Sequence, residues 1–314
     1  MSRFAVLVLL AHCTILVPAL SIPLQLPVNA SVPSLTTPAN ATTLKAQSVI
    51  PGFDVSFNWL PMLNIGPEDA YLCAINFMYE LSSIDWEEVV PSGGEAFSKE
   101  VNGLKIVFES LAKPEDRVQL QNKHLVIGLV SLMNKMASKS SYCTSRATLY
   151  MYRKLIGHLA IGRWPSSAAA KGVEVVTSIT GPSTKLSSSG NLTAVQEIVD
   201  PEDSDIVISY EMLGESISCQ TLLDAALNGL AKSAPAGNDY RCRDFGGFSS
   251  SGEVAYSISG NPPGTTRFLM TYSFVRTSLK LLPARLYGER NCGEVKFDFF
   301  YRGEEIGGGT FYLS

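Results

Sequence analysis

Apolar and polar residues alternate in short runs along the chain, and the runs recur at a fixed spacing. Leu104, Ile106 and Phe108 alternate as a half-buried strand does, and Val254, Tyr256 and Ile258 repeat the pattern 150 positions later. Arg117, Val118 and Leu120 are matched by Arg267, Phe268 and Met270. Next, Leu125, Leu129, Leu132 and Met136 fall on one face of a helix, and Val275, Leu279, Leu282 and Leu286 repeat that face. The spacing then reads as shortened by one residue. Cys143 thereby corresponds to Cys292 and Tyr152-Arg153 to Tyr301-Arg302, with Ile156-Gly157 and Ile306-Gly307 following.

The front of each half also matches. Val55, Phe57 and Trp59 alternate ahead of Gly66-Pro67-Glu68-Asp69, which opens a helix with proline and acids in its first turn. Ile206, Ile208 and Tyr210 alternate ahead of a helix through Cys219, Leu223 and Leu227, for which Ser216 or Ser218 supplies the cap. The order predicts an α+β fold, a tandem duplication of a β-α-β-β-α-β-β module. A module of so few strands is marginal alone, so the copies are expected to pack about a pseudo-twofold axis. Pro283, standing where the first copy has Met133, is expected to kink the second helix or end it early. Gly307-Gly308-Gly309 is expected to mark a bulge or a close backbone approach across the module interface.

Residues 1–21 carry Arg3, an apolar run and small residues near Ala19 and Ser21, the pattern of a secretory signal peptide. Residues 22–52 read as a disordered Pro/Thr/Asn-rich arm. The first module is assigned to 53–164, a Ser/Gly-rich linker to 165–203 (with Val173–Val176 as a strand candidate), and the second module to 204–314. Sequons at Asn29, Asn40 and Asn191 fit a secreted glycoprotein. A secreted chain forms disulfides, and removal of Cys13 leaves five cysteines. Cys73, Cys143, Cys219 and Cys292 read as present in both copies. Bridges Cys73–Cys143 and Cys219–Cys292 are therefore expected, with Cys242 the odd thiol. Pairing of Cys242 with Cys219 or Cys292 is the competing arrangement.

A formal charge of −4 without a basic, aromatic-interleaved cluster argues against nucleic acid, and no basic amphipathic helix marks a membrane surface. His124 and His158 lie in separate elements, and no G-x-S-x-G or phosphate-binding glycine loop is present. No catalytic residue, metal ligand or cofactor is assigned. Candidate ligand-binding residues are the acids of Asp85-Trp86-Glu87-Glu88, His124, and the repeated pair Arg117 and Arg267. The reading is a non-catalytic binding or host-interaction protein acting on an extracellular ligand or protein. The alternative is an extracellular hydrolase of carbohydrate or ester, with a carboxylate-based site in the cleft between the copies. A signal, a Pro/Thr/Asn arm, two diverged α/β copies and a second helix opened by Lys123-His124-Leu125-Val126 together resemble secreted fungal proteins of unknown function. That resemblance implies a compartment and an architecture but no activity.

Overall fold

The computed structural model describes residues 50–91, 96–163 and 195–314. The signal peptide, nearly all of the arm, Val173–Val176 and the three sequons lie outside the described residues. The first half runs β1 (Phe53–Asn64), α1 (Pro67–Ser83), β2 (Ala96–Val101), β3 (Leu104–Ser110), α2 (Asn122–Ser138), β4 (Cys143–Met151) and β5 (Lys154–Gly162). The second runs β6 (Gln196–Val199), β7 (Ile206–Ser216), α3 (Cys219–Ser233), β8 (Asp244–Phe248), β9 (Val254–Gly260), α4 (Tyr272–Gly288), β10 (Gly293–Tyr301) and β11 (Glu304–Leu313). The fold is α+β, with two antiparallel sheets ordered β1-β4-β5-β3-β2 and β6-β7-β10-β11-β9-β8. The halves differ at one edge. β6 covers β7, while β1 ends its sheet, and β6 lies inside the stretch expected to be linker.

The helices lie between the sheets. Each helix pair has its own sheet behind it, and α1 packs on α3 across the middle, flanked by α1–α4 and α2–α3 contacts. The sequence dictates this placement. Ala70–Ile75 of α1 and Leu222–Leu230 of α3 are unbroken runs of buried residues, so these helices have no face left for water. One continuous apolar core joins both halves.

Equivalent backbone hydrogen bonds fix how the halves correspond. Ile65 N–H donates to Tyr142 C=O at 3.0 Å as Ile217 N–H donates to Cys292 C=O at 3.1 Å. Leu111 donates to Ile156 as Asn261 does to Ile306, both at 3.0 Å. Left-handed residues recur in step: Ser140 (φ 47°) with Arg290 (φ 54°), Tyr152 (φ 50°) with Arg302 (φ 53°), and Arg153 (φ 64°) with Gly303 (φ 77°). From Leu104 onward the spacing stays at 150 and never shortens.

This overturns the cysteine argument. Tyr142, not Cys143, stands where Cys292 stands, and Pro67 opens α1 where Cys219 opens α3. Cys219 and Cys292 are bridged across a sequence separation of 73. Cys73 and Cys143 are not joined: they are separate buried thiols, because the first half has no sulfur at either bridging position. Cys73 Sγ donates to Leu104 C=O at 3.6 Å, and Cys143 Sγ lies 3.6 Å from Ser145 Oγ. Burial raises the Cys73 pKa to about 12, which keeps it protonated. Cys242 is a third buried thiol, unbridged to either partner of the competing arrangement.

Two further expectations are corrected. Pro283 does not end α4, which spans 17 residues as α2 does; Leu282 and Leu286, fully buried beside it, hold the helix in place. The register of β11 against β10 shifts at Ile306, beside the first of the three glycines, as expected of a bulge, but their close approach is made inside the sheet, not between the halves. A Cβ at Gly308 would stand 2.6 Å from the Phe297 carbonyl oxygen, and one at Gly307 or Gly309 would strike Ser259 or Ser257 of β9.

Peptide mapping without reductant should join the Cys219 and Cys292 peptides and leave Cys73 and Cys143 as thiols. Replacing both bridged cysteines by serine should cost about 4 kcal/mol of unfolding free energy, the closure entropy of so long a loop. The β4–β5 turn offers an independent check. Arg153→Gly, which copies Gly303, should raise stability by about 1 kcal/mol in denaturant titration by relieving a left-handed arginine.

Candidate functional site

The acidic stretch and His124 do come together, at the junction of α1 with α2. Asp85 Oδ1 accepts the Glu87 N–H at 2.8 Å, closing a turn after α1. Asn122, at the start of α2, donates its side-chain N–H to the carbonyls of Leu81 (2.8 Å), Ile84 (3.2 Å) and Asp85 (3.2 Å). The Gln121 amide donates to Glu87 C=O at 3.0 Å, and Glu87 forms an ion pair with Lys123. Glu88 C=O accepts the Asn122 N–H at 2.9 Å. Trp86 packs partly against the core rather than standing open for a sugar to stack on. The cluster is a clasp between two helices.

His124 belongs to the same clasp. Its Nδ1 accepts the Gln121 N–H at 3.0 Å, forming a capping box at the N-terminus of α2. The ring stacks on Phe53, centroids 5.1 Å apart, and is 1% exposed. Burial, with help from the Lys123 charge and against that of Glu87, lowers its pKa to about 4. Nε2 is buried and makes no hydrogen bond. The ring is thus a neutral, buried acceptor whose Nδ1 is occupied by its own helix. Arg117 and Arg267 are exposed, on the loops before α2 and α4. Glu304 holds the Arg267 backbone N–H at 3.0 Å rather than its guanidinium. They do not converge with the acids of the clasp.

A second polar cluster, unforeseen from the sequence, sits where the halves meet. Asp224, buried in the run Leu222–Leu230, accepts the Ser250 N–H and lies 3.1 Å from Ser250 Oγ. Ser250 Oγ also reaches Asn134 Oδ1 of α2 at 2.8 Å and receives Asn228 Nδ2 at 3.1 Å. Gln220 Nε2 donates to the Tyr142 hydroxyl at 2.7 Å. Burial raises the Asp224 pKa, opposed by the hydrogen bonds from Ser250 and Tyr71. The signal for this cluster was an acid and an amide inside an otherwise apolar helix, which must find partners when buried. Its groups tie the β8–β9 turn and α2 to α3.

The open concavities lie instead along β1. One, of about 490 Å³, runs between β1 and α2 and is lined by Phe53, Val55, Phe57, Ile127, Ser131 and Lys135, among others. A second, of about 650 Å³, adjoins it at Phe53 and Asp54 and continues to Tyr150 and Tyr152. Both are shallow. Among the described residues no group of three or more His, Cys, Asp or Glu is placed to hold a metal ion, and no helix is long and apolar enough to cross a membrane.

No family model matches the chain, and no curated protein does. Among solved structures, the tandem DUF26 ectodomain of the Arabidopsis thaliana cysteine-rich receptor-like protein PDLP5 aligns at 10% identity and a TM-score of 0.20, covering 82% of this chain and 98% of its own. A putative thioesterase from Novosphingobium aromaticivorans aligns at 13% identity and a TM-score of 0.12, covering 83% and 94%. Likenesses at these scores define neither fold nor activity. One is from a plant and one from a bacterium, and the fungal resemblance gains no support from them.

The clasp makes a pH prediction. A histidine that protonates at about pH 4 when folded and at about 6.5 when unfolded takes up its proton preferentially in the unfolded chain. Its contribution to stability is therefore full above pH 6.5 and is lost as pH falls through about 4. In His124→Phe, which copies Phe274 of the second half, that loss should vanish from denaturation midpoints measured between pH 7 and 4.

Proposed function

We propose that the chain is an extracellular, non-catalytic binding protein, made by duplication of one α+β module with its two copies about a pseudo-twofold axis. Duplication is supported by the constant spacing of 150 and by the left-handed residues that keep step with it. The axis is supported by α1 on α3 at the centre, with α1–α4 and α2–α3 as reciprocal contacts. The Cys219–Cys292 bridge favours an oxidising, extracytosolic compartment.

One observation carries the absence of catalysis. The side chains first considered for chemistry at the helix junction are spent on structure: Asp85 on its turn, Glu87 on Lys123, and His124 on its helix cap. The open concavity holds instead an apolar floor with a basic rim at Lys135, a surface for contact rather than for bond breaking. The ligand belongs to the class of extracellular proteins or peptides, the host-interaction reading of the sequence.

A panel of glycoside, ester and peptide substrates, assayed from acidic to neutral pH, should show no turnover. Turnover abolished by alanine at Asp85, Glu87, Glu88 or His124 would replace the binding protein with a hydrolase.

A further inference from the structure

The two halves differ in what lies beside their first long strand. Phe53 begins β1 opposite Met151, and Ile206 begins β7 opposite Tyr301, so the two strands correspond residue for residue at their start. In the second half β6 pairs antiparallel with β7, setting Gln196 opposite Tyr210 and Ile198 opposite Ile208. Beneath this cover Ile206, Ile208 and Tyr210 are buried, with Ile208 at 0% and Tyr210 at 2% exposure. Phe53, Val55 and Phe57, the same positions in β1, are only half-buried, and the residues between them pass from half-buried to exposed. All five positions lose the same layer.

The uncovered edge keeps part of the hydrogen-bonding capacity that β6 satisfies in the other half. Tyr152 N–H donates to Gly52 C=O at 2.7 Å, so even-numbered residues face β4 and Phe53, Val55 and Phe57 face outward. The corresponding Ile206 C=O receives the Asp200 N–H at 3.1 Å from the β6 hairpin. Phe53 N–H donates to Ile50 C=O at 3.0 Å and Val55 N–H to Asp54 Oδ1 at 2.9 Å, which leaves Phe57 N–H and the outward carbonyls of β1 open beside the groove, a template for strand addition.

We propose that the outer edge of β1 receives an extended segment of a partner protein as an added antiparallel strand, with an acidic residue two positions before an apolar one. This rests on the binding reading above and gives it a site. The apolar residue follows from Ile198, whose counterpart would lie against Val55 in the groove floored by Ile127. The acid follows from the rim. In the second half Arg285 pairs with Glu289 at 2.7 Å, and Glu289 accepts the Tyr210 hydroxyl at 3.0 Å beside Gln196. In the first half these two positions are Lys135 and Lys139, with Phe57 in place of Tyr210. Lys139 lies over the Trp59 ring, 4.7 Å from its centroid, and Lys135 is exposed in the groove wall. A strand residue at the Gln196 position therefore meets two cations, while Asp54, the acid among the groove's lining residues, is engaged by the Val55 N–H at 2.9 Å.

Neither the chain's own arm nor a second copy meets these demands. By the alignment of Phe53 with Ile206, the residues matching Gln196–Val199 are Thr43, Leu44, Lys45 and Ala46. They would put a lysine in the apolar place and no acid beside the rim. A second copy laid edge to edge would bring two basic rims together.

The test uses the full chain and a capped eight-residue peptide of threonines carrying Glu and Ile at positions i and i+2. Binding is read by hydrogen exchange of the Phe57 amide and by titration. This amide should exchange fast in the free chain and become protected on adding peptide, and a Lys-for-Glu peptide should bind at least tenfold more weakly. A peptide N-methylated at alternate residues should not bind. The double variant Lys135→Glu, Lys139→Glu, confined to surface positions, should reverse the preference toward the Lys peptide.

No saturable binding at millimolar peptide, or binding indifferent to the charge swap, overturns the proposal. Slow exchange of the Phe57 amide in the free chain at all concentrations would name the arm as occupant, and slow exchange only when concentrated would name a second copy; either overturns it. Turnover in the substrate panel would instead undo the binding reading and leave the peptide result standing.

Discussion

Everything else in the fold depends on the burial of α1 against α3. Both helices are apolar around their whole circumference over at least one turn, so neither can lie on a sheet with its back to water. Two sheets, each with a helix pair on one face, close on each other and remove that surface. Within the second half Gly229 lets α4 come close to α3: a Cβ there would stand 2.8 Å from Leu279. The polar groups caught in the contact are satisfied across it, as with Asp224 and Ser250. One core results, and neither half has a complete interior of its own.

Much of this was legible where periodicity survives divergence. The face Leu125–Met136 located α2, and its repeat located α4, because a 3.6-residue period tolerates any apolar exchange. Identity of residue proved a worse guide than identity of conformation. Matching Tyr152-Arg153 with Tyr301-Arg302 aligned like letters, whereas the turn aligns like torsions, and the one-residue slip carried Cys143 onto Cys292. Cysteines arise and vanish by single substitutions, so four of them near matching places were no record of inheritance. At the candidate site, residue type singled out Asp85, Glu87 and His124, but nothing in the sequence brought them together. Their function as a clasp was not, since it rests on which carbonyls Asn122 reaches. β6 escaped notice because four residues flanked by polar sequence carry too little pattern to tell strand from linker.

The two halves differ in cover more than in core. The buried faces of β4 and β10 alternate nearly alike, and α2 and α4 have the same length. What differs is at the periphery: a sixth strand, a charge pair against two lysines, and a bridge in one half alone. Peripheral exchanges cost little stability and are where two similarly built halves acquire different surfaces.

The position of the bridge also sets how the molecule would bear tension. Cys219 opens α3 and Cys292 immediately precedes β10, so the covalent link short-circuits α3, β8, β9 and α4. A pull applied at the two chain ends would pass through sulfur and skip that 73-residue span. Extension would come from the first half, from β6 and β7, and from the two last strands. The uncovered strand edge therefore lies in a part of the chain that bears the load, while the bridged loop stays slack.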